Sequence, residues 1–397
     1  MNRAAFALLW VFTLIIPFEA VFRLPGFGSI GRVAGLATFA AALLHVLVSR
    51  RIRPLSSFHV LAILFVLWAA LSALWTVDLD ATLVRVLTYA QLAVLGWVIW
   101  ELAPSQARLL TLLQAYVLGA YVLVISTLTN FFAGISFARS AVRFAGLGYN
   151  PNELGFTVVL GLPIAWYLAL SQPRAPLAWP NRLFVPLGMT TILLTASRGA
   201  FIPALAALLL IPWTLTRLRV GGRVTACVLG LGTLLLAQRL VPEGSRQRLA
   251  TTSAEIETGT FGKRLEIWRS GLEVFRQHPL LGVGAGGFGA AVEPMLGYPH
   301  APHQTVLSVL VGQGVVGLLL FTGMFVSAAA SLRRMALLER KFWLVMLLTL
   351  GIGLMVRTWD YQKPVWLVLS VLATLGPVIG TGRSLLHSLA APAREVR

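Results

Sequence analysis

Twelve separate apolar runs divide the 397-residue chain, and they restrict its fold more than any motif does. They fall at residues 4–22, 33–48, 58–76, 82–100, 109–132, 154–170, 183–195, 201–215, 224–240, 305–330, 342–356 and 365–379. A helix needs about 20 apolar residues to cross the hydrocarbon core of a bilayer. Charged residues make up only 12% of the chain, against 57% hydrophobic, and the mean hydropathy is +0.82. A soluble domain carries roughly 25% charge, so a disordered chain and an ordinary soluble enzyme are both excluded. The expected architecture is an all-α polytopic membrane protein with about twelve transmembrane helices and both termini on one side.

The formal net charge of +18 would suggest nucleic acid in a soluble domain. Here it reads as topology. When the loops are assigned alternately, starting inside, the inner ones hold 17 of the 32 lysines and arginines and only three of the 14 acids. Six of the outer cations belong to one long loop, 241–302, so the short connections divide 17 to 9. That is the positive-inside bias, with cytoplasmic termini. No nucleic-acid partner is expected. The first run follows Arg3 as a signal peptide would, but it has no small-residue cleavage site, so an uncleaved anchor is expected. The only cysteine, Cys227, lies inside a predicted span. The organisation read from these features is nine spans over 1–240 with a short outer segment at 133–153, a large outer loop at 241–302, and three further spans with a short cytoplasmic tail over 303–397.

Polar residues gather on the outer side. Segment 133–153 contains Arg143, Asn150, Asn152 and Glu153, and a tight Ser197-Arg198-Gly199 corner separates two apolar runs. Residues 357–363 read Arg-Thr-Trp-Asp-Tyr-Gln-Lys. Within the long loop, Leu265, Trp268, Leu272 and Phe275 recur at helical spacing, predicting an amphipathic helix that His278-Pro279 stops. Five glycines follow between 282 and 289. A dinucleotide fingerprint there would need a preceding strand, so this stretch reads as a tightly turning loop.

His300 and His303 close the long loop, and His303 sits near the start of the tenth run. A helix N-terminus and neighbouring arginines both disfavour the imidazolium form. A neutral ring there can accept a proton as a general base. His300 and His303 with either His278 or Asp360 could make a zinc site, but no cysteine cluster or His-Glu-x-x-His supports one. Asp78 and Asp80 read as helix-capping acids. A cation as close to hydrocarbon as Arg198 needs a partner. Arg143, Arg264, Arg269 and Arg357 lie in other outer segments, and guanidinium forks match phosphate oxygens. Convergence of these groups would suit a lipid-phosphate ligand.

Thr195-Ala-Ser-Arg-Gly-Ala200 resembles the Ser-Arg-Gly corner of O-antigen ligases and related lipid-linked-glycan polymerases. Tyr149-Asn-Pro-Asn152 is similar to their outer asparagine segment. Arg264-x-x-x-Trp268, His278-Pro-Leu-Leu-Gly-Val-Gly284, His303-Gln-Thr-Val-Leu307 and Gly312-Gln-Gly314 resemble their long-loop signature. The match spans roughly 143–317. It implies a GT-C enzyme of the bacterial inner membrane that moves a glycan from undecaprenyl pyrophosphate to a sugar hydroxyl of lipid A–core on the periplasmic face. By position, His303 would be the base. Arg198 and Arg264, with Arg143, would hold the donor pyrophosphate, supported by Arg269, Arg357, Asn152 and His300. No cofactor and no metal are implied. Gln313 stands where relatives often carry an acid. Inversion is expected, because no carboxylate is placed to act as a nucleophile. The alternatives are an O-antigen polymerase, expected to show two sizeable outer loops where this chain has one, and a protein O-oligosaccharyltransferase. A flippase or transporter is disfavoured by spans that are nearly free of charge.

Overall fold

The computed structural model describes residues 2–390 apart from 20, 25–27, 138–142, 147, 219 and 251–263. Every one of the twelve apolar runs carries a helix. These are α1 (Asn2–Ile15), α2 (Ile30–Ser49), α3 (Ser57–Leu71), α4 (Leu79–Leu102), α5 (Gln106–Phe132), α6 (Pro151–Ser171) and α7 (Ala178–Leu194). The eighth run holds α8 (Arg198–Leu208) and α9 (Leu210–Thr214), and the ninth holds α10 (Val220–Leu240). Segment 241–302 adds α11 (Glu243–Ala250), α12 (Arg264–Gln277) and α13 (Phe288–Leu296). The last three runs form α14 (Thr305–Ala329), α15 (Leu337–Val356) and α16 (Lys363–Ala390). Extended pairing among the described residues is limited to Arg23–Leu24 against Gly28–Ser29, in the turn joining α1 to α2.

Among the described residues, six helices are long and apolar enough to cross a membrane, and shorter apolar ones accompany them. Together they make this an all-α membrane protein. In hydrocarbon every backbone group must be bonded internally, and the helix starts obey that rule. Asp78 accepts from the amide of Ala81, and Ser105 from that of Arg108. Asn150 accepts from Asn152, with Pro151 opening α6. Thus Asp78 caps, as its position predicted.

Burial is uneven in a way that locates the centre. Helix α6 buries every residue from Leu154 to Ala169, and it is packed by α5, α7, α8 and α15. Gly353 of α15 makes the closest of these approaches. A Cβ added there would fall 1.8 Å from Cζ of Phe156, whose ring also meets Trp359 at 4.5 Å. Gly353→Val should therefore push α15 off α6 and cost about 1–3 kcal/mol. Thermal unfolding in detergent checks this, and an unchanged midpoint would contradict the packing described.

Two features of the long loop differ from expectation or sharpen it. The packed face of α12 is Ile267, Gly271 and Val274, flanked by Trp268 and Phe275, whereas Leu272 is 44% exposed. The helix is where the spacing predicts it, but its buried stripe is rotated from the leucines toward glycine and valine, which pack closer. The glycine-rich stretch is a set of tight turns against a break in α14. Gly314 has φ +65, outside helical space, and a Cβ there would strike the carbonyl of Leu280. The interrupted ladder is restored from the loop, with Val283 N bonding Val311 O and Val315 N bonding Pro279 O, both at 2.9 Å. Broken helices are tolerated at membrane depth only where protein supplies the missing bonds.

Candidate functional site

Asn152, Arg198 and Arg264 lie in the first turns of α6, α8 and α12, His303 lies just before α14, and Arg143 and Arg357 lie in connections that contact Asn152 and Glu153. The first group is built on the corner between α7 and α8. Ala196 there adopts φ +46, a left-handed conformation unusual for a residue with a side chain. Ser197 Oγ donates to Asn152 Oδ1 at 2.8 Å, and Arg143 Nη2 donates to the same oxygen at 2.9 Å. Arg143 Nε also bonds the carbonyl of Thr195 at 3.1 Å. Asn152 therefore joins the 143 segment to the Ser-Arg-Gly corner. Arg198 opens α8 with its Nη1 shielded from solvent. Gly155 allows the close approach, since a Cβ there would lie 2.8 Å from that of Ala200.

The second group surrounds His303, which is itself left-handed at φ +50. Strained backbone of this kind is concentrated at functional sites. Trp268 Nε1 donates to Pro302 O at 2.9 Å, tying the helix that begins with Arg264 to the His303 loop. Thr305 Oγ1 donates to the carbonyl of Arg357 at 2.6 Å and accepts from the amide of Trp359 at 2.9 Å. The imidazole is open to solvent on one side and enclosed on the other. That enclosure, then Arg264, Arg357 and His300, push its pKa down to about 4. Arg357 is shifted down as well, by burial first, with Glu153 opposing and Arg264 assisting. It stays cationic at neutral pH.

Glu153 links the two groups. Its Oε1 lies 3.7 Å from Arg357 Nη2, one residue along from Asn152. Gly199 and Val356, the neighbours of Arg198 and Arg357, face each other across α8 and α15. His300 packs on Tyr298 with ring centroids 4.0 Å apart. Arg269 is exposed on α12, opposite the packed Ile267–Gly271–Val274 face, so it stands apart from the group. His278, at the far end of α12, is roughly 20 Å of helix away from Arg264.

Asp360, the alternative third ligand of a zinc site, instead pairs with Arg85 and Tyr89. It is fully buried, 2.8 Å from Arg85 Nη1 and 2.5 Å from the hydroxyl of Tyr89, both on α4. Arg85 also lies over the ring of Tyr361 at 3.8 Å, and Trp366 Nε1 donates to Asp360 O at 2.7 Å. No group of three or more potential metal ligands occurs among the described residues. The clamp fixes the short connection carrying Arg357. It was legible only as a lone cation in an apolar run and a lone acid in 357–363, two groups that each needed a partner. Asp360→Asn should leave Arg85 without its counter-charge and cost about 3 kcal/mol or more. Pairing it with Arg85→Gln should recover part of that loss. Unfolding midpoints of the single and double variants test this, and purely additive losses would mean the pair does not couple.

The arrangement offers cations and helix N-termini to an anion, and beside them an uncharged imidazole. Comparison with known proteins agrees with the resemblance read from the motifs. Residues 183–322 match the family model described as O-antigen ligase. The chain is also similar to an O-antigen ligase of Pseudomonas aeruginosa, 27% identical over 354 residues, covering 85% of this chain and 82% of that protein.

Proposed function

We propose that this protein is a glycosyltransferase moving an O-antigen glycan from undecaprenyl pyrophosphate to a sugar hydroxyl of lipid A–core, in lipopolysaccharide synthesis. The observation that carries the reading is the meeting of His303, Arg264 and Arg357 beside the Arg143–Asn152–Arg198 group. The similarity to O-antigen ligases supports the substrate class. The plan is that of a GT-C enzyme with twelve crossings, and the loop charges argue for an inner-membrane enzyme with cytoplasmic termini and a periplasmic site.

In the reaction, the acceptor hydroxyl gives its proton to the neutral imidazole of His303 as its oxygen bonds the anomeric carbon of the donor sugar. The bond from that carbon to the pyrophosphate oxygen breaks, and the electron pair leaves with the pyrophosphate. Arg198, Arg264 and Arg143 meet the growing charge, with Arg357 adding to the field. Preorganised cations stabilise that charge more in the transition state than in the ground state. Attack opposite the leaving group inverts the anomeric centre. The guanidinium groups take the part that a divalent ion plays in other sugar transferases, so EDTA should leave the rate unchanged. Loss of activity that is restored by a divalent ion would overturn that assignment.

The deciding experiment is reconstitution with a lipid-linked donor and a choice of acceptors. Lipid A–core should be glycosylated in preference to a second lipid-linked repeat unit or a serine-containing polypeptide. Chain extension alone would assign the same chemistry to a polymerase, and polypeptide modification would assign it to a protein glycosyltransferase.

A further inference from the structure

A cavity outside the site described above is lined by α1, α2 and α4. Helix α2 buries only Gly31, Thr38 and Ala42, all small, and it leaves larger side chains such as Leu36 outside. The small residues on the inward face of α2 do not fill the space beside it, and a cavity of about 510 Å³ remains between α1, α2 and α4. Its walls are apolar, with Phe12, Phe39 and Leu95 among them. Leu36 and Leu87 at its edge are 68% and 63% exposed, so it opens toward lipid. Two cations line it as well, Arg32 near the start of α2 and Lys363 at the start of α16. Glu19 holds Lys363 at 2.6 Å but is not part of the lining. Two cations against one carboxylate leave the rim net positive. An apolar trough with a cationic rim matches a lipid chain that ends in a phosphate.

We propose that this groove holds an acyl chain of the phosphorylated glycolipid acceptor, with the phosphate on Arg32 and Lys363. The assignment rests on the transferase reading above. The donor has one pyrophosphate, already placed on the arginines of the other group, and its isoprenoid chain must begin there. The acceptor brings its own phosphate at the lipid end and an oligosaccharide that extends away from it. Lys363 is six residues beyond Arg357, a span of at most about 20 Å even if fully extended. An acceptor anchored at the rim therefore has a core of sugars with which to reach His303. The Arg85–Asp360 clamp, which lies between the two along the chain, fixes their relative positions.

The test uses the full-length protein with Ala90→Trp, which fills the trough, and Arg32→Gln, which removes a rim charge. Equilibrium binding of lipid A lacking the core is measured in detergent, and KM for acceptor and donor in the reconstituted enzyme. Each variant should weaken lipid A binding and raise acceptor KM by about fivefold or more, the effect of one contact near 1 kcal/mol. Donor KM should stay unchanged. Removing the lipid A phosphates should weaken binding to the unaltered protein and cost less in Arg32→Gln, where only Lys363 still meets them. Lipid A binding that is equal in both variants and the unaltered protein would overturn the proposal, as would a rise in donor KM instead. Should Ala90→Trp fail to fold, Arg32→Gln decides. If lipid A binding follows the groove but no glycan is transferred, the transferase reading fails and the groove stands.

Discussion

His303→Ala should lower turnover by about 10²- to 10⁴-fold, the usual contribution of a positioned general base, while the donor binds as before. The split follows from the geometry. The imidazole is uncharged at neutral pH, because its enclosure and the neighbouring Arg264, Arg357 and His300 all disfavour a proton on it. It contributes little to holding an anion and should matter when the acceptor loses its proton. Single-turnover transfer with pre-bound donor measures the chemical step, and a donor-binding titration measures the rest. Parallel loss of donor affinity and turnover would make His303 a binding residue.

Arg264→Lys and Arg198→Lys should each reduce turnover on the order of 10²-fold, comparable to loss of one oxyanion donor. Lysine keeps the charge but offers a single ammonium where the guanidinium presents a planar fork. Topogenic or interfacial arginines would tolerate the change, since only charge matters there. Full activity in both variants would therefore remove these residues from the donor site. Arg269→Lys is the control, since Arg269 is exposed on the outward side of α12.

Much of this was legible in the chain, and the illegible parts have physical causes. The helices were plain because apolar length is a local property, and each run became a helix. Spacing also found α12, but it misjudged the packed stripe, since a glycine's value at an interface depends on what faces it, here Phe288 and Leu307. The motifs named His303, Arg198 and Arg264, but no local pattern could show that Ala196 and His303 would take left-handed backbone. The role of Asn152 as a bracket between Arg143 and Ser197 was equally hidden, because 45 residues separate it from the serine. Arg85 and Asp360 stand 275 residues apart, and only the fold pairs them.

The pH dependence of kcat/KM tests the central claim most directly. A histidine with its ordinary pKa of 6.5 would lose activity as the pH falls through that value. Held down to about 4, His303 should stay deprotonated from neutral pH to well below 6, so the acid limb should fall near pH 4. Arg264→Gln removes one of the charges holding the ring neutral and should move that limb upward. An acid limb at 6.5 in the unaltered enzyme, or an unchanged limb in His303→Ala, would contradict the account.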